Sequence, residues 1–183
     1  MEAEVVRDSV LAVAGELDLT PFGPDLDESL GSKNKRRSIY FRTTPDNQMT
    51  MLSQFDMASP NACYRREESV APQQSLTLMN GGLILDQSRL LARSLSKTET
   101  NLREDVDFAR IVFETILSRP PDASELASMV HYLESEAKTK VDKNDGFLGT
   151  GQATVIPSLD PVLRSRENLV HILFNHNDFV TIR

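Results

Sequence analysis

The chain has 183 residues, 39% hydrophobic, 6% aromatic and 26% charged, with no Trp and a single cysteine, Cys63. No run approaches the ~20 consecutive apolar residues of a membrane-spanning helix, and one cysteine cannot close an internal disulfide. The net charge of −7 suits a nucleic-acid partner poorly, because that affinity rests on cation–phosphate contacts.

Val6, Val10, Val13 and Leu17 recur at helical spacing and predict a helix over residues 2–17. A polar stretch with Gly and Pro follows from Asp18 to Asn34 and reads as a loop. Charge is segregated across this region. Residues 1–30 carry eight acids and one base, Arg7, whereas residues 31–42 carry five bases and no acid. The basic strip reads as a solvated loop, or as a docking strip for an acidic partner or polyanion. Residues 37–42 alternate, with Ile39 and Phe41 on one side and Tyr40 and Arg42 on the other, which predicts an extended segment.

A short helix over residues 46–55 would bury Met49, Leu52 and Phe55. Pro72 suits the first turn of a helix that runs to Met79, and Asn80-Gly81-Gly82 breaks it. The next helix has Ile84, Ser88, Leu91 and Leu95 as its seam, with Leu85 and Ala92 alongside. Another over residues 102–117 turns Ala109, Val112, Phe113, Ile116 and Leu117 inward and stops at Pro120-Pro121. Asp122 with Glu125 forms a capping-box pattern ahead of Leu126, Met129, Val130 and Leu133. Residues 139–157 hold three glycines and no period and read as a long loop. Asp160-Pro161 opens the last helix, with Val162, Leu163, Leu169, Val170 and Leu173 inside and Phe179 packing back. The sum is an all-α fold, an irregular bundle of five to seven helices with one extended segment near residues 37–42.

Met1 is followed by acids and a helical pattern, not by the basic and apolar regions of a signal peptide. The start falls inside a helix, so the chain reads as the C-terminal fragment of a larger multidomain protein, with residues 1–183 as a single helical domain.

Several chemistries find no signature. Gly81-Gly82 and Gly146-x-x-Gly149-x-Gly151 lack the Lys-Ser/Thr of a phosphate loop. No nucleophile elbow and no Cys-x-x-Cys or c-type haem motif is present. His171 and His176 lie five residues apart, about 140° around a helix, and His131 sits beside a seam. No metal or other cofactor is expected in this chain.

Polar side chains concentrate between Arg36 and Asn80. Arg37-Ser-Ile-Tyr40 is followed by Phe55-Asp56, then Cys63-x-Arg65-Arg66-x-x-Ser69-x-x-Pro72-x-Gln74-x-Leu76, then Leu78-Met79-Asn80. Glu2-Ala-Glu-Val-Val-Arg7-Asp8 opens the chain. Leu117-Ser-Arg119-Pro120-Pro121-x-x-x-Glu125-Leu126 and Asn175-x-x-Asp178-Phe179 come later. In this order the motifs resemble the C-terminal portion of a planctomycete domain of unknown function, number 1553. Two departures stand out: a Trp- and His-containing region usual upstream is missing, and Ser69 stands where Thr is usual, with Gln73 and Ser75 flanking Gln74 where the family prefers small or apolar residues. The resemblance implies an exported, extracytoplasmic multidomain parent that often carries a cytochrome-c-like module, and it carries over no established activity.

Two readings stay open. In one, the domain is a non-catalytic accessory module that packs on the upstream domains of its parent or presents a surface to a partner or polysaccharide. Its Arg37, Asp56 and Arg66 then form a structural network, because buried charges must be paired. In the other, Tyr40, Asp56, Arg65, Arg66, Gln74 and Asn80 line a composite site shared with the upstream part, for hydrolytic or redox-coupled work on polysaccharide. Asp56 would be its acid/base, Arg66 its anion stabiliser and Tyr40 a proton donor, with Arg37, Arg65, Gln74 and Asn80 as binding residues.

Overall fold

The computed structural model describes residues 1–55, 57–59, 61, 72–98, 104–138 and 153–181. Among these are eight α-helices and no sheet, in agreement with the all-α reading. The chain divides into two compact units, Met1–Met79 and Asn80–Arg183.

In the first unit α1 (Ala3–Val13) buries Ala3, Val6, Val10 and Leu11, and with them Arg7. It ends earlier than the periodicity predicts. Gly15 sits at φ +74°, the left-handed conformation that closes helices and favours glycine. α2 (Thr50–Gln54) packs on α1. Met49, Leu52 and Phe55 are buried, as their spacing predicts. α3 (Pro72–Asn80) starts at the proline expected at its first turn.

The extended segment near residues 37–42 is not a regular strand. Ser38–Tyr40 closes a 3-10 turn, with Phe41 N–H bonded to the Ser38 carbonyl. Ile39 is therefore 61% exposed while Phe41 is buried at 6%, and the expected pairing of their side chains on one face is lost. The physical reason is the Asp8 carboxylate, which accepts from both the Ser38 amide (2.8 Å) and its hydroxyl (2.6 Å). That grip curls the chain at Ser38, and extension survives only at single-residue bridges, Asp18 with Arg36 and Leu26 with Phe41.

In the second unit α4 (Gly82–Thr98) lies along α7 (Pro161–Phe174), and α6 (Ala123–Glu136) packs on α5 (Asp105–Leu117) and α7. Phe108, Val112, Phe113, Leu133, Val170 and Phe174 are at most 2% exposed and fill this core. Ser118 takes φ +55° and ends α5 ahead of the two prolines. Asp122 and Glu125 form the full capping box of α6. Asp160 caps α7 over Pro161, but Val162 is 44% exposed, contrary to its expected place inside, because it lies in the first turn, ahead of the buried run that begins at Ser165. The last helix breaks at Asn175. α8 (Asn177–Val180) starts on His176, whose Nδ1 accepts from the Asp178 amide (3.1 Å). Phe179 packs edge-on against Phe174, centroids 5.1 Å apart.

Candidate functional site

Arg7 is fully buried on α1. Its guanidinium donates to the carbonyls of Gly31 (3.0 Å), Asn34 and Arg36 (2.9 Å) and to the Ser38 hydroxyl (3.2 Å), and it lies 4.8 Å over the Phe41 ring. Burial pulls its pKa down to about 10, with Asp8 acting in the opposite sense, so the group is cationic at neutral pH. Gly31 fits because a Cβ there would run into the Met49 side chain. The Arg-Asp pair that opens the chain thus clamps the Arg-Ser-Ile-Tyr segment.

The basic strip is largely consumed inside the same unit. Lys35 pairs with Glu16, Arg42 with Asp25 (2.6 Å), and Arg37 lies 3.8 Å from Asp8. The acids of residues 1–30 are the partners of the bases of residues 31–42, so the docking reading of the strip loses most of its free charge.

Among the predicted site residues, Arg37 and Tyr40 turn to different partners. Arg37, half-exposed, lines an open groove of about 600 Å³ between α1 and residues 37–43, with Asp8, Ser9, Val5, Leu17 and Ile39. Tyr40 turns instead to Arg36, whose guanidinium stacks on its ring at 3.9 Å, and its hydroxyl accepts from the Phe22 amide (3.0 Å). Gln74 and Asn80 lie on α3, and neither is without a partner. Asp56, Cys63, Arg65 and Arg66 lie outside the described residues. No group of three or more His, Cys, Asp or Glu side chains among the described residues is placed to hold a metal ion, and no helix there is long and apolar enough to cross a membrane.

A second clamp lies at the end of α5. Arg119 makes a two-pronged pair with Glu125 (2.7 and 2.9 Å) and also binds Asp178 (2.9 and 3.0 Å). Its guanidinium lies 4.8 Å over Phe113. The Arg119 hydrogen bonds, then the Asp122 amide, hold the Glu125 carboxyl down at about 2, and the two acids raise the Arg119 pKa.

A further polar network ties α4 and α7 to residues 154–158, where the sequence reading placed helix seams and a loop. Asp86 on α4 accepts from the Thr154 amide (2.9 Å) and hydroxyl (2.7 Å) and from the Val155 amide (2.8 Å). Arg89 donates to the Val155 carbonyl, and Arg93 to the Ile156 carbonyl and to Glu167 (2.7 Å). Glu167 in turn accepts from the Ser158 amide (2.9 Å). A signal was present: Asp86, Arg89 and Arg93 sit at i, i+3 and i+7, one face of α4.

The family model described as PSD1, protein of unknown function (DUF1553), matches residues 1–133. The chain belongs to this family. No curated protein and no solved structure matches it. The DUF1553 match takes in the Arg7–Asp8–Ser38 clamp and the Arg119–Glu125 pair, while Asp178, which completes the second clamp, lies beyond it.

Proposed function

We propose that this DUF1553 chain is a non-catalytic helical accessory module of a large exported multidomain protein, working by contact with neighbouring domains or a partner. One observation carries the reading: several described polar residues of its motifs are committed to one another or to backbone. Arg7 and Asp8 hold Ser38, Arg119 holds Glu125 and Asp178, and Tyr40 holds a loop amide. Groups locked in mutual hydrogen bonds satisfy the backbone of irregular chain and hold it in place.

The test is made on the parent protein carrying this domain. Tyr40→Phe, Asp56→Asn and Arg66→Gln variants are assayed for release of reducing sugar from a polysaccharide panel and for electron transfer to a c-type cytochrome. On this reading each folded variant matches the wild type. Loss of turnover in a variant with native circular dichroism and melting would overturn it in favour of the composite site.

A further inference from the structure

The loop from Leu19 to Pro24 is built around one guanidinium. Arg36 donates to the carbonyls of Thr20 (3.3 Å), Phe22 and Pro24 (3.5 Å), and it stacks on Tyr40. The Tyr40 hydroxyl accepts from the Phe22 amide at 3.0 Å. Both ends are pinned, Asp18 N–H to the Lys35 carbonyl (2.9 Å) and Leu26 N–H to the Tyr40 carbonyl (2.7 Å). Pro21 and Pro24 restrict the backbone further.

This held loop presents an aromatic to solvent. Phe22 is 84% exposed and Leu19 69%. Scattered exposed apolar residues are ordinary, but Phe22 also sits at φ +63°. That conformation is uncommon for any residue with a Cβ and an outlier for a bulky one. A loop needing only this shape would be served by glycine. Here the strain is kept and the side chain buries almost nothing within its own chain. A rigid aromatic projecting from a satisfied backbone is what a binding anchor requires, since little ordering remains to be done on association.

The surroundings define the partner. Residues 16–28 carry five acids and no base. Lys35 and Arg42 pair with Glu16 and Asp25, and Arg36 and Arg42 act on Asp18, Asp27 and Glu28 only at longer range, so five acids outnumber the three bases beside them. We propose that Phe22 anchors a docking surface for a protein partner, entering an apolar pocket rimmed by Lys or Arg. Tyr40 and Arg36 act as positioning residues that hold the loop in its presenting shape. This surface stands whether or not the domain also takes part in a reaction.

The test uses a random peptide library displayed on phage, panned on the 183-residue chain. Enriched peptides are then titrated by fluorescence polarisation against wild type, Phe22→Gly and Tyr40→Phe. The expected peptides combine apolar residues with Lys or Arg and weaken as salt rises. Phe22→Gly should bind at least about tenfold more weakly while melting no lower than wild type, because glycine relieves the backbone. Tyr40→Phe, which frees the Phe22 amide, should fall between the two. Failure of any peptide to enrich, or equal binding by Phe22→Gly, would overturn the proposal. So would retardation of wild type, and not Phe22→Gly, in gels containing soluble xylan or β-glucan, since Phe22 would then be a sugar platform.

Discussion

Arg119 grips Asp178 across 59 residues of chain, with Nε at 3.0 Å and Nη2 at 2.9 Å from the same carboxylate oxygen. The remaining edge of the guanidinium forks onto Glu125, and Glu125 also accepts from the Asp122 amide (2.8 Å) to close the capping box of α6. One cation therefore fixes the end of α5, the start of α6 and the start of α8.

The clamp makes stability depend on pH in a defined window. Glu125 titrates near 4.5 when unfolded and at about 2 when folded. Between those values the unfolded chain binds the extra proton, so stability rises with pH there. The contribution is complete above about 4.5 and is lost as pH falls through about 2. Urea unfolding of wild type and Arg119→Met should show a stability gap at pH 7 that narrows steadily below pH ~4.5. A gap unchanged down to pH 2 would remove the ion pair from the account.

Arg7 admits no conservative replacement. Lysine keeps the charge but lacks the planar fork that reaches several carbonyls at once. Arg7→Lys should cost about 2 kcal/mol and Arg7→Met about 3–5 kcal/mol, the latter leaving the Gly31, Asn34 and Arg36 carbonyls without their donor. Denaturant titration followed by circular dichroism measures both.

The α6 cap is a local matter. Asp122 accepts from the Ser124 and Glu125 amides, and Asp122→Ala should lower the melting temperature by roughly 2–4 °C. Asp122→Asn, which retains a capping oxygen, should recover most of the loss.

Asp86 pins residues 153–155 without covalent help. In Asp86→Asn an amide N–H₂ replaces one carboxylate oxygen, and it faces donors rather than accepting from them. The cost should be about 1–3 kcal/mol. Native-state hydrogen exchange should quicken at the Thr154 and Val155 amides by about tenfold or more while the buried α5 amides change far less.

Helices were legible where an apolar period was reinforced by caps. Asp122, Asp160 and Pro72 mark their starts, and the seams around Ile84, Val112 and Leu133 are buried as their spacing implies. Residues 37–42 were misleading because alternation reports side-chain types and not the carboxylate of Asp8, thirty positions earlier, that bends Ser38. The buried face of α4 was masked for a related reason. Asp86, Arg89 and Arg93 drew no notice as a face, because the carbonyls and amides that receive them lie more than sixty residues on, at residues 154–156. Tyr40 was singled out as a proton donor, and its hydroxyl is an acceptor for a loop amide, a role that no pattern of residue types encodes.

The pairing of early acids with later bases ties two oppositely charged stretches together. The eight acids of residues 1–30 have Arg7 as the one base within that stretch. Lys35, Arg37 and Arg42, which pair with Glu16, Asp8 and Asp25, all lie in residues 31–42. The carbonyls that seat Arg7 lie in the same dozen residues as these bases. Neither half of the first 42 residues is near neutral on its own, and the charge of each is offset by the other.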